Sequence, residues 1–158
     1  MFTLAGIREF HSWTHARLAR LLDHLVTLPE GSYTKELNGF GLPTIREQVV
    51  HLFGCEMRWI GRVQLILPGD WKDEDWPSVA EAKILQQQAR EGTLAYLSGL
   101  TDKQLNEAIE ILSPGGDTMV ETPAAVIHHV LTHAFHHKGQ IVAMCRLLGY
   151  PAPDTDLL

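Results

Sequence analysis

The chain has 158 residues, of which 45% are hydrophobic and 20% are charged, a composition typical of one globular domain over residues 1–158. Nineteen acidic against thirteen basic residues give a formal net charge of -6, which argues against the concentrated basic surface that nucleic-acid binding needs. No apolar run approaches the ~20 residues of a membrane-spanning helix, and the N-terminus lacks the features of a signal peptide. We therefore expect a cytoplasmic protein that binds neither nucleic acid nor membrane.

Helical periodicity predicts two long helices in the first half of the chain. The first covers roughly residues 5–28, where apolar residues recur at steps of three and four before Pro29. The second begins at Thr44, whose spacing to Glu47 is that of a capping box, and runs to about Leu67. Each segment has an apolar stripe, so each is expected to pack against other helices.

The second half predicts two further helices and a different segment between them. A third helix runs from Ser78 to about Ser98. Residues 104–121 combine a short apolar run, Pro-Gly-Gly-Asp and Met-Val, which predicts a hairpin or an extended crossover. The last helix begins at Thr122-Pro123 and ends by Gly149, and a short surface extension follows it. The pattern predicts an all-α four-helix bundle, an architecture that builds metal sites from inward-facing side chains.

Five of the nine histidines lie within ten positions of the last predicted helix, in HHVLTHAFHH. Positions four apart differ by only ~40° in direction, so His133 shares a face with both His129 and His137. Two imidazoles one turn apart suit a divalent metal ion. A third ligand must come from another helix, and His51 is the candidate because its neighbours in the second helix look core-facing. Three histidines plus open positions for water are typical of a catalytic metal site.

For three side chains near these histidines the sequence leaves more than one role. Cys55 lies one turn beyond His51 and is either a thiolate ligand, a nucleophile or a small buried hydrophobe. Glu56 is either a carboxylate that supports a ligand or part of a solvated face. His129 is a support for the ligands, a contact of the substrate or, as the preferred interpretation, a core histidine.

The remaining histidines give weaker signals. His11 and His15 form a second pair four residues apart on the first helix, and spacing alone supports them as ligands. His128 and His136 lie on other faces of the last helix and are interpreted as surface or interface residues. His24 is expected to be solvated.

Three stretches carry a resemblance to a known family: FHSWTHARLARLLDHL, GFGLPTIREQVVHLFGCEMRWIGRV and HAFHHKGQIVAMCRLLGYPAPDTD. The last is the most specific, because a histidine, three residues, a second histidine, a basic residue and then Gly-Gln are usual there. Over almost its whole length the chain resembles the DinB superfamily, also called the DinB/YfiT-like metalloenzymes. Lys138 stands where arginine is commoner. Carried over to this chain, the metal ligands of the family fall on His51, His133 and His137.

The resemblance implies an up-down-down-up bundle, one divalent metal ion such as nickel or zinc, and a homodimer. Characterised relatives transfer low-molecular-weight thiols or isomerise small acids with a metal-activated thiolate. We therefore expect a metal-dependent transferase or hydrolase that acts on a small molecule, with a metal-bound water or a substrate thiol as the reacting group. The alternative is a non-enzymatic, stress-associated protein whose metal site only stabilises the bundle.

Two further expectations concern the surroundings of the site. Ligating histidines must be neutral, so metal affinity is expected to fall below the ordinary histidine pKa of ~6.5. An aromatic-rich loop at residues 70–76 either covers the pocket or pairs with a second subunit. The two cysteines, Cys55 and Cys145, form neither a disulfide framework nor a Cys-x-x-Cys zinc motif.

Overall fold

The computed structural model describes residues 1–66 and 72–157. Within them, four long helices, one short helix and a two-stranded antiparallel sheet follow in the order α1 (Leu4–Val26), α2 (Ile45–Val63), α3 (Val79–Ser98), α4 (Asp102–Asn106), β1 (Ile109–Leu112), β2 (Thr118–Glu121) and α5 (Pro123–Leu147). Short 3-10 turns lie at Ser32–Thr34 and Asp73–Asp75. The predicted helical bundle with a hairpin before its last helix is confirmed. None of the helices in these two ranges has the length and apolar character needed to cross a lipid bilayer.

Local capping explains where the helices begin. The Thr44 hydroxyl accepts a hydrogen bond from the backbone N–H of Glu47, whose carboxylate accepts one from the backbone N–H of Thr44. Ser78 and Glu81 form the same reciprocal pair at the start of α3. Both boxes satisfy N–H groups that a helix start otherwise leaves without partners, which confirms the predicted starts of α2 and α3.

The end of α2 differs from the prediction. The helix stops at Val63, and Leu65 adopts a left-handed backbone conformation with φ 57°, which an α-helix cannot continue. The apolar run that follows Val63 extended the periodic pattern and made the predicted helix too long. Leu67, where the prediction ended, lies outside the described residues, as do positions 70 and 71 of the predicted aromatic loop. Trp76, at the end of that loop, packs against the core.

The segment between α3 and α5 contains one more element than predicted. The short helix α4 begins with a capping box between Thr101 and Gln104, a signal that the sequence itself carries. The predicted hairpin follows, with Ile109 paired to Glu121 and Leu112 paired to Thr118. Its strands join α4 to the start of α5 and cover the end of the bundle.

The four long helices enclose a shared apolar core. Its fully buried side chains include one large residue from each of them, namely Leu21, Phe53, Leu85 and Ile141. Helices α1 and α2 each pack against both α3 and α5. Burial of such side chains stabilises the bundle by roughly 1.5–3 kcal/mol each. On one side of the bundle, Trp59 of α2 and Ala125, Val126 and His129 of α5 line an open groove.

The C-terminal segment lies at the surface, as predicted, but two hydrogen bonds tie it to the bundle. The buried Lys138 ammonium donates a hydrogen bond to the backbone carbonyl of Thr155, which is only 5% exposed. The Arg17 guanidinium donates to the carbonyl of Leu157 at 3.0 Å. These hydrogen bonds hold the segment against α1 and α5, and the one from Lys138 gives a cation largely removed from water an oxygen acceptor.

Candidate metal centre

Helices α2 and α5 bring the three predicted ligands together beside this groove. His51 comes from α2, and His133 and His137 lie one turn apart on α5. The Nε2 atom of His133 is 3.2 Å from that of His51 and 3.1 Å from that of His137. The rings of His51 and His137 have centroids 4.7 Å apart. The three rings therefore cluster, with Nε2 of His133 close to that of each of the other two.

The spacing of these nitrogens fits a shared divalent ion. Two nitrogens bound at ~2.0–2.1 Å to one tetrahedral ion lie about 3.4 Å from each other. The observed separations of 3.1 and 3.2 Å differ from this value by only a few tenths of an ångström. His51 and His133 are partly exposed, so the centre is open toward the groove.

A glutamine fixes the orientation of one ring. The amide NH2 of Gln48 donates to the carbonyl of Leu42 at 2.8 Å and to the side-chain oxygen of Gln140 at 2.9 Å. Its amide oxygen is therefore the atom that faces His137, and Nδ1–H of His137 donates to it at 2.6 Å. With the proton on Nδ1, the Nε2 lone pair of His137 points to the other two rings. Metal-binding histidines are commonly held in this way through their second nitrogen.

The electrostatic surroundings keep the three rings neutral. Burial, with repulsion from His133, lowers the pKa of His137 to about 3. Burial, with repulsion from His51, lowers the pKa of His133 to about 4. Burial, with the positive charge of Arg58, also lowers the pKa of His51. At neutral pH the rings are uncharged, which is the state that binds a metal ion.

Cys55 and His129 lie at the edge of this centre. The Cys55 sulfur and one nitrogen each of His51 and His133 all lie within 4.8 Å of one another. Burial raises the pKa of the Cys55 thiol, which keeps it protonated at neutral pH. The His129 ring is 5.8 Å from the His133 ring and meets Trp59 edge-on at 5.0 Å. His129 is exposed, so its preferred interpretation as a core histidine is wrong; the groove is open at its level.

The other histidine pair belongs to a separate, fully buried cluster. His11 and His15 on α1 are 0% and 3% exposed, and both contact Glu56 on α2, which is 3% exposed. Their Nε2 atoms lie 2.8 and 3.0 Å from the two carboxylate oxygens. The Thr93 hydroxyl on α3 donates to the same carboxylate at 2.7 Å. Glu56 therefore neither supports the ligands nor lies on a solvated face, since five residues turn it ~140° away from His51.

The donor set of this buried cluster could hold a metal ion, but its geometry fits a hydrogen-bonded network better. Burial alone would raise the pKa of Glu56, yet the hydrogen bonds from His11 and His15 outweigh it and hold the pKa well below its ordinary value. The ionised carboxylate then accepts all three contacts. In the part of the chain that the structure describes, Nδ1 of both rings is buried without a partner. A metal-binding ring would normally have that nitrogen held, as His137 does.

The remaining histidines contact the backbone or lie at the surface. His136 is exposed, as predicted, and accepts a hydrogen bond from the Gln140 amide at 2.7 Å. His128 is partly buried, and its Nδ1–H donates to the carbonyl of Ala124 at 2.7 Å. His24 is also partly buried rather than solvated, because its Nε2–H donates to the carbonyl of Tyr150 at 3.0 Å.

The sequence prediction missed the glutamines that support the centre. Gln48 precedes His51 by three residues and Gln140 follows His137 by three, so each lies on the face of its helix that carries a ligand. That spacing was the available signal. A buried amide next to a candidate ligand is an expected partner for the second ring nitrogen.

Comparisons with known proteins agree on one family. A model of the DinB family matches residues 1–158. Protein DinB of Bacillus subtilis (strain 168) is 26% identical over 156 residues, and the match covers 94% of this chain and 87% of that protein. The crystal structure of a DinB-like protein from Bacillus cereus ATCC 10987 matches with a TM-score of 0.70 at 22% identity, over 98% of this chain and 99% of that one. A DinB-like protein from Bacillus subtilis matches with a TM-score of 0.57 at 18% identity, over 97% and 96% of the two chains.

Proposed function

We propose that this chain, which belongs to the DinB family, is a metal-dependent enzyme that transfers a thiol to, or hydrolyses, a small molecule. The observation that carries the proposal is the convergence of three neutral histidines in an open groove, with Nε2 of His133 within 3.2 Å of the other two. Catalytic metal sites typically have three protein ligands and an open position.

The chain's own residues would hold the ion and define its surroundings. His51, His133 and His137 are the ligands, and Gln48 keeps the His137 tautomer that leaves Nε2 unprotonated. When bound, a divalent metal at such a centre supplies Lewis acidity, which lowers the pKa of a coordinated thiol or water. Three neutral nitrogen ligands suit zinc and nickel. None of the three carries a negative charge that would reduce the charge of the ion.

An apolar cavity beside the centre supports an enzyme rather than a purely structural site. The cavity measures about 230 Å³ and is lined by Trp59, Met119, Ala125 and Val126 together with Glu121 and His129. The His129 ring is next to that of His133. Sites for small molecules are commonly apolar clefts with a few polar groups at one end. We propose that this cavity holds the apolar part of the substrate and excludes water from it.

Three finer points of the proposal rest on the family resemblance. We propose that the natural substrate is, or is joined to, a low-molecular-weight thiol. We propose also that the resident ion is nickel or zinc, and that the protein works as a homodimer in the cytoplasm. Sedimentation of the purified chain would test the dimer directly, since a dimer has twice the 17.7 kDa mass of the chain.

A conjugation assay tests the enzymatic proposal. Metal-loaded protein would be incubated with a small thiol and a chromogenic electrophile, and the rate would be compared with that of metal-free protein and of His137→Ala. We expect metal-dependent conjugation that this variant loses. The proposed thiol transfer would be contradicted if loaded protein and the variant gave equal rates over a range of thiols, and hydrolysis of activated esters would then be the remaining assay.

A second candidate function is a metal site that only stabilises the bundle. The observation that favours it is the position of the Cys55 sulfur, which is near enough to His51 and His133 to be a further ligand. A fourth protein ligand would leave no coordination position for a substrate. Cys55→Ala separates the two candidates. Metal retained at full stoichiometry in this variant supports the open, catalytic centre, whereas metal lost with a fall in thermal stability supports the structural role.

A further inference from the structure

One stripe of α2 carries positive charge beside the histidine centre. His51, Cys55, Arg58 and Arg62 follow at steps of four, three and four residues, so they lie on the same face of the helix. Arg58 lines a cavity of about 210 Å³ together with His51. Its charge is also close enough to contribute to the lowered pKa of both His51 and His133. The Arg62 guanidinium stacks over Trp59 at 4.9 Å from the ring centroid.

The two arginines have no acidic partner in residues 1–66 and 72–157, where no carboxylate lies within 4.0 Å of either guanidinium. The acidic residues that line the same cavity are already engaged. Glu47 accepts hydrogen bonds from Thr44, and Asp73 pairs with Arg46 at 2.8 Å. Like charges four residues apart on a helix repel, so this placement costs stability that a bound anion would offset.

We infer that Arg58, with Arg62 behind it, binds a carboxylate group of the substrate on which the histidine centre acts. The inference rests on the proposed function and specifies the class of its substrate. A guanidinium presents a planar pair of N–H groups that matches the two oxygens of a carboxylate. Glu47 and Asp73 also line the cavity, and their negative charges disfavour a doubly charged phosphate more than a singly charged carboxylate. The two positive charges of a divalent ion would add to the attraction.

Two small thiols of similar size test this assignment on the full-length chain loaded with cobalt(II). Mercaptoacetate carries a carboxylate where 2-mercaptoethanol carries a neutral hydroxyl. Binding of either thiol to the ion would be followed by the thiolate-to-cobalt absorption band, and the ratio of the two affinities would be compared between wild-type protein and Arg58→Gln. We expect this ratio to fall about tenfold or more in the variant, with a much smaller fall in the affinity for 2-mercaptoethanol, whose thiolate is also attracted by the Arg58 charge.

Two further variants control for charge and for folding. Arg58→Lys keeps the charge but not the paired N–H groups, so it should recover part of the ratio. Arg90→Gln makes the same change in net charge on α3, at an exposed residue in the groove between α1 and α3, and should behave as wild type.

The outcomes separate the two proposals. If wild-type protein binds cobalt and the affinity ratio is the same in Arg58→Gln, the carboxylate assignment is wrong and the proposed function stands. If Arg90→Gln lowers the ratio as much as Arg58→Gln does, the effect is one of general charge and the assignment is again wrong. If wild-type protein binds no cobalt, the proposed function fails, and the assignment fails with it.

Discussion

His11 and His15 on α1 have the same spacing as His133 and His137 on α5, but their surroundings differ in three ways. The pair on α1 is fully buried, whereas the centre that contains the pair on α5 opens to a groove. The first pair contacts a carboxylate, and the second meets a third imidazole. The second nitrogen is held by a glutamine only at His137. Spacing alone therefore does not distinguish the two pairs; their burial and the groups they contact do.

The two clusters also have different roles in the fold. Glu56 connects α1, α2 and α3 through His11, His15 and Thr93, so its cluster holds three helices together. The histidine centre joins only α2 and α5 and leaves one side open. We interpret the first cluster as a structural network and the second as the functional centre.

Replacement of Glu56 by glutamine should produce the largest effect, and it tests the structural interpretation. The amide would present an NH2 group to N–H and O–H donors that now meet a carboxylate oxygen. We expect the free energy of unfolding of metal-free protein, measured by urea denaturation, to fall by about 3–5 kcal/mol. In a separate measurement, the number of metal ions bound per chain should be unchanged. Glu36→Gln, at an exposed position, is the matched control. A stable Glu56→Gln protein that had lost its metal would reverse the roles of the two clusters.

Replacement of Gln48 by alanine should have the next largest effect, and it tests whether support of the second ring nitrogen distinguishes the clusters. Without the amide oxygen, the His137 ring loses the contact that keeps the proton on Nδ1. We expect metal affinity to fall about 10–100-fold in competition with a chromogenic chelator. Gln87→Ala, which removes an exposed amide on α3, should leave the affinity unchanged. Equal affinities in the two variants would mean that Gln48 does not support the centre.

The pH dependence of metal binding should show the smallest effect. Protons compete with the ion only below the pKa of the folded state, which is about 4 for His133 and about 3 for His137. The pKa of His51 is also lowered. We therefore expect the affinity, measured by titration of folded protein, to stay nearly constant through the ordinary histidine pKa of ~6.5 and to fall only at lower pH. The sequence alone predicted a fall below ~6.5, and the lowered pKa values move that prediction to lower pH. A steep loss between pH 7 and pH 5.5 would show that the rings titrate as exposed histidines.

Lowered histidine pKa values also affect stability, with a defined sign. In the unfolded chain His133 and His137 bind protons near pH ~6.5, whereas in the folded chain they do so only at about 4 and about 3. Between these values the unfolded state holds more protons, so the free energy of unfolding of metal-free protein should decrease as the pH falls from ~6.5. Urea denaturation at pH 7, 6 and 5 would measure it, and His137→Ala should reduce the slope.

Local signals in the sequence predicted most of the fold. Capping boxes such as Thr44 with Glu47 and apolar periodicity are properties of neighbouring residues, so the starts of α2 and α3 could be read directly. The pairing of His133 with His137 is likewise local, whereas His51, which its apolar stripe placed toward the interior, is partly exposed. The end of α2 was missed because the apolar run after Val63 continues the same pattern while the backbone turns at Leu65.

The sequence could not predict contacts that depend on how helices pack. Glu56 meets His11 because α1 and α2 approach within the bundle, and nothing near Glu56 in the chain indicates this partner. The exposure of His129 was missed for a related reason. Apolar residues surround α5 on several sides, so periodicity does not show which side faces the groove.

Elemental analysis of tag-free protein tests the central claim most directly. Wild-type protein, His51→Ala and His137→Ala would be compared with His11→Ala and His15→Ala, using only the folded fraction of each. We predict about one divalent metal ion per chain in wild type and in both variants of the buried cluster, and none in the two variants of the open centre. Metal that persists in His51→Ala and His137→Ala but is absent from His11→Ala would contradict this account and assign the metal to the buried cluster.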